Sequence, residues 1–279
     1  MAPVTPDRGA PIVARWLGRI AYRDAWAFQR ALVAARQAGE IPDQLLLLEH
    51  DSVITLGWNA TEAHVLAPPE LLAARGIEVV HVERGGEVTY HGPGQLVAYP
   101  IVGLAGRGLG VRRFIGALEG AMADACAAAG VAAGPRAGHP GCWCDPDGPL
   151  PRKIGALGIR VSRGVAFHGI ALNVATELAD FGLIDPCGMP GLTSTSMARE
   201  RGDRQARPGT AAVALAAASF AAALASRLGA GLEGRLPPDA DPGVERFALE
   251  AIAADPTTAD IGAGASGRAA GPAAVPGGA

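Results

Sequence analysis

Apolar runs alternate with glycine- and proline-rich breaks along most of this chain, and the lengths and periods of the runs sort them into helices and strands. Tyr22–Ala38 carries Trp26, Leu32 and Val33 at helical spacing and stops at Gly39, which predicts a helix. Residues 45–48 are a continuous apolar run of strand length, followed by Val53–Leu56. Residues 68–74 read as a short helix with proline at its start, followed by a strand over 77–82. A further strand over 96–101 precedes an amphipathic helix over 111–129, and Val131 opens another strand. The proline-rich segment 139–151 predicts a turn-rich insert. Two strands, 153–161 and 165–174, are joined by Ser162-Arg163-Gly164 as a hairpin. A loop over 181–192 and an alanine-rich helix over 211–228 follow. Strands and helices mix without regular β-α-β alternation, and no repeat is visible. The predicted fold class is therefore α+β, a mixed sheet flanked by helices in one domain.

Composition narrows this picture. A chain of 279 residues that is 49% hydrophobic can bury a large core, filled by Ala, Val, Leu and Ile because only 5% is aromatic. A net charge of -3 gives no overall basic footprint for nucleic acid. Arg107, Arg112 and Arg113, and Arg152, Lys153, Arg160 and Arg163, form local basic clusters that read as solvated surface or as contacts for an acidic partner. The first residues hold Asp7, Arg8 and Arg15 without the apolar stretch of a secretory signal. Residues 210–226 read as too short and too weakly apolar to cross a bilayer. A cytoplasmic protein with reduced cysteines and no membrane contact is the expectation. Residues 256–279 have almost no large apolar side chains, which gives a flexible start over 1–14, a folded domain over 15–230, and a low-complexity, largely disordered tail over 231–279 with room for a short helix over 243–253.

Candidate chemistry gathers in four places. The stretch Arg84-Gly85-Gly86-Glu87-Val88-Thr89-Tyr90-His91-Gly92-Pro93-Gly94-Gln95 packs glycines and polar side chains between two apolar runs, as a binding-site wall would. In the strand that begins at Lys153, period two places the lysine with Gly155, Leu157, Ile159 and Val161 on the apolar face. An amine at the head of such a row loses water and can serve as a base, or it can snorkel out to solvent. Cys187, in Asp185-Pro186-Cys187-Gly188-Met189-Pro190-Gly191, sits in a loop, where nucleophile and core filler fit equally well. His168 shares a strand face with Ile170 and Leu172, as a satisfied core histidine or as a ligand contact. His50 follows the apolar run at 45–48, either at a strand end facing the cleft or on the surface. Cys142 and Cys144 read as alternate positions on a short strand, because no second pair supplies the remaining zinc ligands. Phosphate-binding loops of the usual spacing are missing.

In motif content and order the chain resembles the lipoyl(octanoyl) transferase family, which is related to the biotin and lipoate protein ligase catalytic domains. The resemblance is carried by the Arg84 to Gln95 stretch, by Lys153-Ile154-Gly155-Ala156-Leu157-Gly158, by His168-Gly169-Ile170-Ala171-Leu172-Asn173, and by Pro186-Cys187-Gly188. It extends over about residues 15–228, leaving out the insert at 145–151 and the tail. One departure is that Trp143 is flanked by Cys142 and Cys144 where the family has apolar residues.

The resemblance implies a mixed sheet flanked by helices and the transfer of an octanoyl chain from octanoyl-acyl carrier protein to a lipoyl-domain lysine. The acceptors would be lipoyl domains of 2-oxoacid dehydrogenases and the glycine cleavage H protein. It implies Cys187 as the acyl-thioester nucleophile and Lys153 as the cation that favours its thiolate. Arg84, Gly85, Gly86, Glu87, Val88, Thr89, Tyr90 and His91 would line the substrate site, with Ala156, Leu157 and Gly158 and with Gly169, Ile170 and Ala171. Tyr90, Leu157 and Gly158 would form the acyl slot, the glycine leaving space. The expected protein is a monomer that needs no cofactor, neither ATP nor metal.

Overall fold

The first strand, β1 (Ile12–Ile20), is one that the period-two reading passes over. Its alternation is broken where Gly18 adopts φ +60° and the register against the next strand shifts between Trp16 and Arg19. The computed structural model describes residues 9–185, 193–203 and 205–253. After β1 come α1 (Tyr22–Ala38), β2 (Gln44–His50), β3 (Val53–Leu56), α2 (Pro69–Ala74), β4 (Glu78–His81), β5 (Val88–His91) and β6 (Gln95–Gly103). Then follow α3 (Val111–Ala128), β7 (Gly134–Arg136), β8 (His139–Cys144), β9 (Arg152–Ser162) and β10 (Val165–Asn173). The chain closes with β11 (Thr193–Ser194), α4 (Met197–Glu200), α5 (Thr210–Arg227), β12 (Leu232–Glu233) and α6 (Pro242–Ala253).

Among the described residues the main sheet runs β12-β1-β2-β6-β10-β9-β8-β7, with β11 added alongside β9. It is mixed: β1 lies parallel to β12 and β2, and β11 parallel to β9, while β2, β6, β10, β9, β8 and β7 pair antiparallel. One face is covered by α3 and α5 through Phe114, Leu118, Met122, Val213, Phe220 and Leu224. The other is covered by α1 and α6 through Phe28, Leu32 and Leu249. The central strands β6 and β10 are buried along their whole length, which is why each reads as a continuous apolar run.

A second, three-stranded sheet, β4-β3-β5, docks against the edge of this sandwich. Glycines make the joint. The Gly85 N–H donates to the Ile159 carbonyl at 3.1 Å. A Cβ on Gly158 would come within 2.6 Å of the Gly85 carbonyl oxygen, and one on Gly57 would collide with that of Gly86. The glycine-rich stretch therefore lets backbone meet backbone, and Gly158 does not leave space for a ligand as the sequence suggested. A third of that stretch, Val88–His91, is strand β5, not connector.

Several other expectations change. Within the segment read as a turn-rich insert, residues 139–144 are strand β8, and 131–133 lie ahead of β7. By length and composition α5 could cross a membrane, contrary to the sequence reading; here Val213, Ala217, Phe220, Ala221 and Leu224 pack in the core, which accounts for its apolar character. The folded domain also extends beyond residue 230. β12 pairs with β1, and α6 is tied down by the Arg15–Glu245 ion pair at 2.8 Å and by Arg246 donating to the Leu17 carbonyl. Arg107 leaves the surface cluster, because it is buried against Asp43 at 2.5 Å, the same carboxylate that Arg36 holds at 2.7 Å. The tail over 256–279 and the first eight residues lie outside the described residues.

Candidate active site

A cavity opens where the small sheet meets β9 and β10. Arg84, Gly86, Glu87, Val88, Thr89 and His91 line it from one side; Ala156, Leu157, Gly158, Gly169, Ile170 and Ala171 line it from the other, with Lys153 at one end. Two residues expected here stand elsewhere. Gly85 is spent on the joint with Ile159. Tyr90 points into the small hydrophobic layer beside Leu56, Val88 and Leu183, and its hydroxyl donates to Asp180 at 2.8 Å and meets Ser52 at 3.0 Å. Period two within β5 turns Thr89 and His91 one way and Tyr90 the other. Cys187 lies outside the described residues. Its flanks are fixed: the Asp185 N–H donates to the His64 carbonyl at 2.8 Å, and Ser194 pairs with Lys153.

Lys153 is not on the face that alternation predicts. Cys142 pairs with Gly155 but Trp143 pairs with Lys153, so one extra residue, Ile154, is accommodated on β9. Beyond this bulge Gly155 faces Met122 of α3 and the core, whereas the Lys153 ammonium lies 5.2 Å from the centre of the Trp143 ring and lines the cavity. Trp143 is itself fixed by its indole N–H, which donates to the His139 carbonyl at 3.0 Å. A charge over an aromatic face is held by the ring quadrupole. Cys142 and Cys144 face the core on either side of it, as free buried thiols.

The far end of the cavity is built by Tyr22, Tyr99 and His168. None of these stood out as a site residue in the sequence, although His168 was read both as core and as contact. Pro100, directly after Tyr99 in a strand-length apolar run, is the signal that was available, since proline inside a central strand interrupts the ladder. The register places His168 opposite Pro100. With no N–H from Pro100 to pair, His168 takes φ +58°, and its own N–H donates instead to Gln29 Oε1 of α1 at 2.9 Å. Left-handed backbone in mid-strand turns the imidazole off the α3 side, where alternation would put it, and into the cavity. The next residue must be glycine, because a Cβ on Gly169 would collide with the Ala98 carbonyl oxygen.

Behind this wall the histidines are neutral. The His50 Nδ1–H donates to the Ile20 carbonyl at 3.0 Å, which leaves Nε2 to accept from the Tyr99 hydroxyl at 2.8 Å. Burial lowers His50 to about 4, so it is neither a surface residue nor a cleft residue but a buried prop for Tyr99. His91 donates to Gln95 Oε1 at 2.8 Å, and burial first, then the neighbouring His50 and the Arg84 cation, lower it to about 3. Burial also lowers His168, against the pull of the Glu83 carboxylate 3.7 Å away. Burial raises Tyr22 and Tyr99, so both stay protonated. Arg84 is directed at the joint, donating to the Thr55 carbonyl at 2.8 Å and to its hydroxyl at 2.9 Å. The cavity is thus an apolar trough with a cation at one end and neutral hydrogen-bonding rings at the other.

Residues 21–212 match the family model of the lipoyl protein ligase A/B catalytic domain. An octanoyltransferase of Acidobacterium capsulatum is 48% identical over 192 residues, covering 66% of this chain and 78% of that protein. One from Thiobacillus denitrificans is 46% identical over 198 residues, covering 70% and 85%. Among solved structures, a lipoate-protein ligase A bound with ATP superposes with a TM-score of 0.60 at 13% identity, covering 87% of this chain and 94% of that one. A bipartite lipoate protein ligase from Thermoplasma acidophilum gives 0.58 at 13% identity, covering 90% and 94%. These two structures share the fold of the chain.

Proposed function

Because the chain belongs to the lipoyl protein ligase A/B catalytic-domain family, we propose that it transfers an octanoyl group from octanoyl-acyl carrier protein to the lysine amine of lipoyl domains, through a thioester on Cys187. The observation that carries this reading is Lys153, whose ammonium lines an apolar cavity and whose backbone pairs with Ser194, seven positions after Cys187. The octanoyltransferase relatives supply the acyl group and the reaction class.

In the first half-reaction the Cys187 thiolate attacks the donor's thioester carbon. A carbon–sulfur bond forms to Cys187, the one to the carrier breaks, and the carrier thiol leaves with the proton of the Lys153 ammonium, which becomes the neutral amine. The exchange is close to isoenergetic, so the reaction needs neither ATP nor a metal. Lys153 as ammonium favours the thiolate, strongly where water is excluded. In the second half-reaction the acceptor's neutral amine attacks the acyl-enzyme, an amide bond forms and the Cys187 thiolate leaves. Lys153 takes the amine's proton. Backbone N–H groups at the glycine-rich walls stabilise the tetrahedral oxyanion. The octanoyl tail lies along Leu157, Ile170 and Ala171, where each buried methylene contributes about 0.8 kcal/mol. The protein acts as a cytoplasmic monomer on lipoyl domains of 2-oxoacid dehydrogenases and the glycine cleavage H protein.

The test is intact-protein mass spectrometry after incubation with octanoyl-acyl carrier protein without ATP. The expected result is one added octanoyl group on Cys187, lost on addition of a lipoyl domain that gains it as an amide. Full transfer by Cys187→Ser, or a requirement for ATP and free octanoate, would overturn the mechanism.

A further inference from the structure

His168 stands at the far end of the cavity. It is 1% exposed, it lines the cavity at the end away from Lys153, and neither of its ring nitrogens has a hydrogen-bond partner among the described residues. Its Nε2 stops 3.7 Å short of Glu83 Oε1, which instead accepts from the Trp26 indole N–H at 3.2 Å. Phe167 stacks against the imidazole with ring centres 5.0 Å apart, and Tyr99 meets it edge-on at 6.4 Å.

The distances along the sheet fit an acyl chain of limited length. Ala156 pairs with Ala171, Gly158 with Gly169 and Ile159 with His168. From the first pair to the last is three residue steps, about 10 Å at the usual strand rise. An octanoyl chain has seven carbon–carbon bonds of about 1.5 Å, which zigzag to roughly 9 Å. A chain whose carbonyl lies between Lys153 and Ala156 therefore runs along Leu157 and Ile170 and ends against the imidazole.

We propose that His168, turned into the cavity by the Pro100 interruption of the ladder, is the specificity-determining residue that ends the acyl slot and limits the chain to about eight carbons. The inference rests on the octanoyl-transfer reading and names the residue that sets its chain length. A neutral ring with unpaired nitrogens acts here in two ways. It blocks further carbons sterically, and it gives the terminal methyl no gain from pressing deeper.

The left-handed backbone at His168 makes the test unusually clean. Glycine and asparagine both tolerate φ +58°, so His168→Gly and His168→Asn shorten the side chain without new strain. Binding of pantetheine amides carrying eight-, ten- and twelve-carbon chains is measured by calorimetry on the full chain, which requires no turnover and no Cys187 chemistry. The wild type is expected to prefer eight carbons. In His168→Gly each added methylene should tighten binding about fourfold, so the ten-to-eight preference should rise by roughly tenfold or more. His168→Asn should shift it less. An unchanged chain-length order in a His168→Gly protein that melts like the wild type would overturn the inference, as would a wild type that binds none of the amides. Octanoyl transfer by the wild type, measured separately, reports on the underlying reading: if transfer fails while the binding order shifts, the wall stands and the chemistry falls.

Discussion

The two ends of the cavity are built on the same strand pair yet by opposite means. At one end a bulge at Ile154 places a flexible cation over the Trp143 ring, beside the segment that carries Cys187. At the other, a proline in β6 fixes a histidine in left-handed backbone, with its N–H held by Gln29. The first end has a positive charge, as favouring a thiolate requires. The second has rigid, uncharged rings, as the end of an apolar slot requires. Both depend on a break in period-two alternation, so in this sheet the interruptions, rather than the regular ladder, carry the specific chemistry.

The comparison breaks most decisively at Lys153. Lys153→Met keeps an apolar stem over Trp143 but removes the charge and the base. Loss of a positioned proton acceptor costs about 10²- to 10⁴-fold. Acyl transfer should fall by that much, and Cys187 should alkylate only at higher pH than in the wild type. An unchanged alkylation profile would remove Lys153 from the activation of the thiol while leaving its place in the cavity intact.

How much of this was legible in the sequence differs between the two ends. The long helices and the hairpin of β9 and β10 follow from runs of apolar residues, because regular elements obey local rules, and motif content names much of the cavity wall, though not Tyr22 or Tyr99. The lysine's true face did not follow, since nothing in Lys153-Ile154-Gly155 announces a bulge that only the pairing with β8 creates. His168 needed knowledge that β6 is its neighbour, with Pro100 68 positions away in the chain, before that proline acquired a meaning. β1 was lost to the Gly18 irregularity. The short helix over 243–253 stands as α6, but its place in the folded domain was hidden by a composition that reads as tail until its contacts with β1 are known. Sequence periodicity reports elements well, and exceptions imposed by a partner strand poorly.

The neutral end can be probed by acid. His50 and His91 sit at about 4 and about 3 when folded, against an ordinary value near 6.5, because burial disfavours their charged forms. A base whose folded value is depressed contributes stability that is fully present above the unfolded value and is lost as pH falls through it toward the folded value. Urea unfolding should therefore show stability constant above pH 7 and declining from pH 6.5 downward, by about 2 kcal/mol per histidine between pH 7.5 and pH 5. His50→Asn should flatten part of that slope. Equal stability at pH 7.5 and pH 5 would mean that the rings behind Tyr99 are not buried as neutral groups.

The smallest effect separates the cavity from the layer behind it. Tyr90 belongs to the glycine-rich stretch whose other members line the cavity, yet its hydroxyl is engaged by Asp180 and Ser52 on the opposite side of β5. Tyr90→Phe leaves the ring packed against Phe181, at 5.6 Å between centres, and removes only the hydrogen bonds. Stability should drop by about 1 kcal/mol, with kcat and KM for octanoyl transfer unchanged. A rise in KM with no loss of stability would bring Tyr90 back into the acyl slot, and the division of β5 into a cavity face and a packing face would fail with it.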